Sequence, residues 1–223
     1  MKSNTFLLSY IGFSIVYLLI ILIGQEDVAW FLKPFLIPFL LFGVYFYDAF
    51  PSKKFLLTAL TFSWIGDIIL LFADRAELFF ISGLISFLIS HVVYILLFNR
   101  QLKSRNKRNR AIYWIGVTTI IVYLFLMLTI LLPSLGDLQI PVLVYAMVLS
   151  TMLLFAFKGF FSWEEPANWY ILTGAIIFVS SDSILAFNKF YTPIVLSSFL
   201  IMITYLTAQY LIVAGILKLN QKK

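Results

Sequence analysis

Residues 112–132 read IYWIGVTTIIVYLFLMLTILL, twenty-one consecutive positions without a charged side chain. At 1.5 Å per residue a helix of this length is roughly 30 Å long, the thickness of a bilayer's hydrocarbon core. Before the stretch lie Arg100, Lys103, Arg105, Lys107, Arg108 and Arg110; after it comes the turn Pro133-Ser134-Leu135-Gly136-Asp137. An apolar run bounded in this way reads as a membrane-spanning helix.

The rest of the chain has the same texture. Hydrophobic residues make up 62% of the 223 positions and charged ones 12%, and the mean hydropathy is +1.02. A soluble domain carries about 25% charged residues, because its surface must face water. With roughly 20 residues per span and short connections, 223 residues hold seven or eight spans and no soluble domain. Apolar runs and polar punctuation together predict an all-α bundle of eight transmembrane helices forming a single domain, 1–223. The spans are expected near 6–23, 30–47, 55–72, 77–98, 112–132, 140–157, 168–187 and 193–217. Breaks at Asp48-Ala49-Phe50-Pro51, Glu164-Glu165-Pro166 and Tyr191-Thr192-Pro193 carry turn chemistry. Pro34, Pro38 and Pro141 fall inside or at the start of spans, where membrane helices tolerate them. The N-terminal apolar run lacks an A-x-A-like cleavage site and reads as the first span, not a signal peptide.

An even number of spans puts both termini and every second loop on one side. That side collects Lys2, Lys53, Lys54, Arg100, Lys103, Arg105, Lys107, Arg108, Arg110, Lys158, Lys218, Lys222 and Lys223. Only Lys33, Arg75 and Lys189 fall opposite. Lysine and arginine collect on the cytoplasmic side, so both termini are expected there. The basic run Arg100–Arg110 is then a topology determinant that attracts anionic headgroups, not a nucleic-acid site.

The absence of cysteine rules out disulfides and thiolate chemistry, and a single histidine, His91, rules out three-histidine zinc centres. Gly-rich phosphate loops are absent too. A serine triad can be assembled from Ser181 or Ser90 with His91 and an aspartate, but no G-x-S-x-G elbow accompanies it. No metal or cofactor is expected.

Ionisable residues at mid-span are costly and are functional candidates by default. Asp67 and Asp182 lie about 12 and 14 residues from the inner ends of their spans, roughly 18 and 21 Å up, hence level in the outer half of the bilayer. Lys33, near the outer start of span two, approaches from above. The structural reading of each aspartate is a polar clamp between helices; for Lys33 it is a snorkelling end residue. Gly83, Phe87, His91 and Tyr94 share one face of span four, and Ile201, Tyr205 and Gln209 one face of span eight. Tyr145 lies in the outer part of span six, while His91 and Gln209 sit about 10 Å deeper than the aspartates.

Gly66-Asp67-Ile68-Ile69-Leu70-Leu71-Phe72 and Ser181-Asp182-Ser183-Ile184-Leu185-Ala186-Phe187 both read small-Asp-x-Ile-Leu-x-Phe, 115 residues apart. Ser86-Phe87-Leu88-Ile89 recurs as Ser198-Phe199-Leu200-Ile201 at an offset of 112. Chance matches are common in Leu/Ile/Phe-rich sequence; the alternative is a four-plus-four parallel repeat.

At these positions the chain resembles the YhhN-like membrane proteins, which include the lysoplasmalogenases. The resemblance runs through Lys33-Pro34, Gly66-Asp67-x-x-Leu70, Gly83-Leu84, Phe87, His91 and Tyr94. It continues through Gly174-Ala175-x-x-Phe178, Ser181-Asp182-x-x-Leu185-Ala186-x-x-Lys189-Phe190, Tyr205 and Gln209, with Lys189 where arginine is commoner. It implies a hydrolase that cleaves the vinyl-ether bond of a lysophospholipid, the lysoplasmalogen, to a fatty aldehyde and a glycerophospho-base. Asp67 and Asp182 would be its catalytic acid and base in either order. Lys33, His91, Tyr94, Tyr145, Ser181, Tyr205 and Gln209 would bind substrate or water. Carbon protonation needs a real acid, and low-dielectric burial favours the neutral carboxyl. The rival reading is a proton-coupled transporter built on the same buried groups. The expected partners are the lysophospholipid and membrane lipids, and a bacterial inner membrane is the default location.

Overall fold

The structure, a computed structural model, describes residues 2–102 and 110–221. Lys103, Arg105, Lys107, Arg108, Lys222 and Lys223, used above to orient the chain, lie outside the described residues. Helices account for 85% of the chain, with no strand among the described residues, so the fold is all-α. The helices are α1 (Lys2–Leu22), α2 (Glu26–Leu32), α3 (Leu36–Tyr45), α4 (Lys53–Leu70), α5 (Glu77–Gln101), α6 (Arg110–Leu131), α7 (Gln139–Phe160), α8 (Ala167–Phe190) and α9 (Ser197–Leu219). Among the described residues, seven segments are long and apolar enough to cross a membrane, α2 and α3 counting as one. The remaining long helix, the 18-residue α4, carries Lys53, Lys54 and Asp67. The chain divides into two compact units, 1–97 and 98–223.

In the first unit the second spanning segment is interrupted by a 3₁₀ turn at Lys33–Phe35. Proline explains it. Pro38 has no N–H to return to the carbonyl four residues back, which leaves the Pro34 carbonyl without its helical donor. The Trp64 indole of α4 supplies that donor, Nε1 lying 2.7 Å from the Pro34 oxygen. The repair fixes α4 against the break beside Lys33. Close approach brings α1 to α3, where Ser3 Oγ donates to the Gly43 carbonyl at 2.8 Å and Phe6 stacks on Phe46 at 5.4 Å. The α4–α5 contact relies on Gly66, where a Cβ would lie 2.7 Å from the Phe87 ring. Ser86 Oγ, donating to the Phe62 carbonyl at 2.6 Å, ties the same two helices.

In the second unit α9 is the central helix, with 61% of its most apolar stretch buried, whereas α6 has only 6% buried and presents its apolar residues outward. The tightest contact is α8 on α9. A Cβ on Gly174 would lie 3.0 Å from the Ile212 nitrogen and 3.1 Å from the Ala208 oxygen, both backbone atoms that cannot swing aside. Small residues allow such approach in membrane bundles, where dispersion and not water exclusion drives association. Gly174→Val is therefore expected to cost about 1–3 kcal/mol, lowering the melting temperature in detergent by about 2–12 °C. An unchanged melting curve would contradict this packing.

The long helices overlap the apolar runs read from the sequence, with ends differing from the expected bounds by up to four residues. The last begins at Ser197 instead of near 193. Asn188 Oδ1 accepts the Ile194 N–H at 2.9 Å, and Leu196 turns into the left-handed region at φ 57° before the helix starts. The chain after Pro193 is thus held in a turn.

Candidate functional site

The buried face of α4 carries Leu56, Ala59, Leu60, Ser63, Gly66 and Asp67. These follow helical spacing, so Asp67 points where its helix's core residues point. It is 4% exposed. Lys33 Nζ lies 4.0 Å from Asp67 Oδ1, with both side chains largely buried. That separation is a charge pair longer than a 2.7–2.9 Å charge-assisted hydrogen bond. The break around Pro34 places Lys33 here, partway along a spanning segment and away from its end. Tyr10 and Tyr17, buried on α1, lie within electrostatic range of Asp67.

His91 and Tyr94 are fully buried, and His91 Nδ1 bonds the Phe87 carbonyl of its own helix at 2.6 Å. Ser90 Oγ donates to the Ala59 carbonyl at 2.8 Å and lies 2.8 Å from Ser63 Oγ. A serine committed to a backbone carbonyl in this way ties helices together; it is not poised as a nucleophile.

In the second unit the buried stripe of α8 includes Gly174, Ala175, Phe178 and Ser181, and half-buried Asp182 stands at its edge. Tyr145 of α7 donates its hydroxyl to Asp182 Oδ2 at 2.6 Å. Ser181 Oγ donates to the Ile201 carbonyl of α9 at 2.9 Å, so its hydroxyl also joins helices. Gln209 Nε2 donates weakly to Tyr205 Oη at 3.4 Å, both residues being buried. Tyr205 stands edge-on to Phe178, ring centroids 5.6 Å apart.

The first unit thus joins Lys33 to Asp67, and the second joins Tyr145 to Asp182 and Gln209 to Tyr205. His91 and Ser181 are bonded to backbone carbonyls. Among the described residues no three of His, Cys, Asp and Glu gather as a metal site would require.

Sequence reasoning missed three neighbours of the carboxylates. Tyr10 and Tyr17 are seven residues apart, two turns along one face of an otherwise apolar helix, and that spacing was a usable signal. Tyr123 of α6 gave none, since a single tyrosine on a lipid-facing helix is ordinary. Tyr123 is hydrogen-bonded to Ser183 and lies within electrostatic range of Asp182.

The chain is 30% identical over 177 residues to "Lysoplasmalogenase TMEM86A" of Bos taurus, covering 76% of this chain and 68% of the relative. It is 29% identical over 182 residues to the protein of the same name from Homo sapiens, with the same coverage. No solved structure matches. The sequence profile of the YhhN family matches residues 28–216, a stretch holding Lys33, Asp67, Tyr145 and Asp182 together with His91, Tyr94, Ser181, Tyr205 and Gln209. On that match over most of its length, this chain belongs to the YhhN family.

Proposed function

We propose that this protein is a membrane-embedded lysoplasmalogenase, an ether hydrolase that converts a lysoplasmalogen and water to a fatty aldehyde and a glycerophospho-base. The observation that carries the reading is the seating of two intramembrane carboxyls among proton-controlling groups. Asp67 sits beside Lys33 and Asp182 under the Tyr145 hydroxyl. The 30% identity to a protein named as a lysoplasmalogenase supports it.

The chemistry asks for such groups. Vinyl-ether hydrolysis begins when an acid delivers a proton to the β-carbon, leaving an oxocarbenium ion. Water captures the ion, and the resulting hemiacetal collapses to aldehyde and alcohol. One aspartate acts as the acid; the other orients the water and stabilises the cation electrostatically. Lys33 holds the phosphate or steadies an ionised Asp67, its 4.0 Å separation leaving it free to do either. His91, Tyr94, Ser181, Tyr205 and Gln209 shape the path of the single-chain lipid, which enters sideways from the bilayer.

The chain works as one transmembrane domain of eight spans, α4 among them, with both termini cytoplasmic and a bacterial inner membrane as its setting. A four-plus-four repeat underlies it. In each unit the aspartate rides on the third long segment and draws partners from the first two. For Asp67 these are Tyr10, Tyr17 and Lys33; for Asp182 they are Tyr123 and Tyr145.

The test is aldehyde release by purified protein offered a lysoplasmalogen and its ester analogue. Cleavage of the vinyl ether alone supports the reading. Preferred cleavage of the ester indicates a different hydrolase, and substrate-driven proton flux in liposomes without aldehyde indicates a transporter. Tyr145→Phe removes the 2.6 Å bond to Asp182. Hydrogen bonds to charged groups contribute about 1.5–3 kcal/mol, so kcat is expected to fall about 10- to 100-fold, measured at saturating substrate.

A further inference from the structure

The Lys33–Asp67 pair of the first unit lies between two indoles. Trp64, Asp67 and Leu71 are spaced three and four residues apart, so they share one face at the end of α4. Trp30, Lys33 and Pro34 have the matching spacing where α2 runs into the 3₁₀ turn. Contacts pair the two faces in opposite order. Trp30 Nε1 donates to the Leu71 carbonyl at 3.2 Å, Lys33 Nζ lies 4.0 Å from Asp67 Oδ1, and Trp64 Nε1 donates to the Pro34 carbonyl at 2.7 Å.

Each indole meets a carbonyl that its own helix does not serve. Pro38 offers Pro34 no N–H. Leu71 caps α4, and the N–H four residues on, that of Arg75, goes to the Phe72 carbonyl at 2.9 Å. Lipid supplies no donor to such a carbonyl, so both indole bonds are strongly favoured. Each bond ties α4 to the segment that carries Lys33, one on either side of the charge pair. A lysine stem is flexible, so where its ammonium rests depends on how its backbone is held. At 4.0 Å the charges are not closed into a hydrogen bond; the contacts at hydrogen-bond distance are those of the indoles.

We infer that Trp64, with Trp30 on the other side of the pair, is the positioning residue that sets the Lys33 ammonium against Asp67. Each indole acts through the backbone of the segment that carries Lys33. The catalytic consequence rests on the lysoplasmalogenase reading: the indoles fix where the ammonium meets the phosphate or Asp67.

A thermal double-mutant cycle on the full-length protein in detergent tests the positioning without turnover. Lys33→Met, Asp67→Asn and their combination give the coupling between the charges, as the departure of their melting-temperature shifts from additivity. The cycle is then repeated in Trp64→Phe and in Trp64→Phe/Pro38→Ala. The Pro38→Ala change returns a helical N–H to the Pro34 carbonyl while the tie to α4 stays broken. Trp64→Phe should melt below wild type and Pro38→Ala should recover part of that fall, yet in both backgrounds the coupling should drop to about half or less. A tie that only stabilises the fold would lower the melting temperature and leave the coupling as it was. Trp30→Phe, which loses the longer bond, should weaken the coupling by less than Trp64→Phe. Should Trp64→Phe not fold, the Pro38→Ala background and Trp30→Phe carry the same comparison.

Kinetics supply the second measurement. Trp64→Phe should lower kcat/KM about 10-fold or more in the otherwise wild-type protein, but less than about twofold in Lys33→Met, because it acts through Lys33. Coupling of wild-type size after Trp64→Phe, no coupling in wild type, or the full kinetic loss persisting in Lys33→Met would each overturn the inference. Wild-type protein that makes no aldehyde would instead overturn the lysoplasmalogenase reading, and the thermal cycle would still decide the positioning role.

Discussion

Asp182→Asn should release aldehyde at least about a thousandfold more slowly than wild type, with folding intact. Positioned general acids and bases contribute about 10²- to 10⁴-fold. Asparagine keeps the size of the side chain and can still accept the Tyr145 hydroxyl, so the melting temperature should move by only a few degrees. Asp67→Asn should lose about 10²- to 10³-fold as the other member of the proposed acid–base pair. Rates from purified protein, corrected for the acid-catalysed background reaction, would settle the matter. If both variants stay within tenfold of wild type, the carboxyls are helix clamps and the catalytic reading is wrong.

Much of this was visible in the sequence, for a physical reason. Lipid offers no hydrogen bonds, so an apolar run of some 20 residues has one economical structure, and all but the last residue of the stretch 112–132 lies within α6. Helix ends were less legible. Once formed, a helix continues past its apolar run while its backbone bonds are satisfied, and α8 accordingly carries on through Asn188, Lys189 and Phe190. Asp67 and Asp182 were legible because charge at mid-span is rare. Their partners were not, because partnership depends on how neighbouring helices are rotated. The Pro34 carbonyl bonded to Trp64 and Tyr123 bonded to Ser183 join residues 30 and 60 positions apart, with no motif linking them. Ser181 was legible as a polar residue in a span; its use as a tie to the Ile201 carbonyl emerges only when α9 is in place.

Lys33→Met should be the most destabilising of the conservative-volume changes at the site. Asp67 is 4% exposed and has the Lys33 ammonium 4.0 Å away. Removing one partner of a buried pair leaves the other charge uncompensated and typically costs about 3–5 kcal/mol. The lower end applies here, because the separation is long and Lys33 keeps some exposure. For a chain of this size about 3 kcal/mol corresponds to a fall of about 6–12 °C in melting temperature. The double variant Lys33→Met/Asp67→Asn removes both charges and should recover most of that loss, since replacing a whole buried pair by neutral groups is often close to neutral. Activity should not recover with it, because on the proposed reading the Asp67 carboxyl and the Lys33 ammonium both take part in the chemistry. Stability restored without turnover would separate the pair's structural contribution from its chemical one. A double variant no more stable than Lys33→Met alone would mean that Lys33 acts through some contact other than Asp67. A single variant that melts with wild type would mean that the charges are not coupled at all.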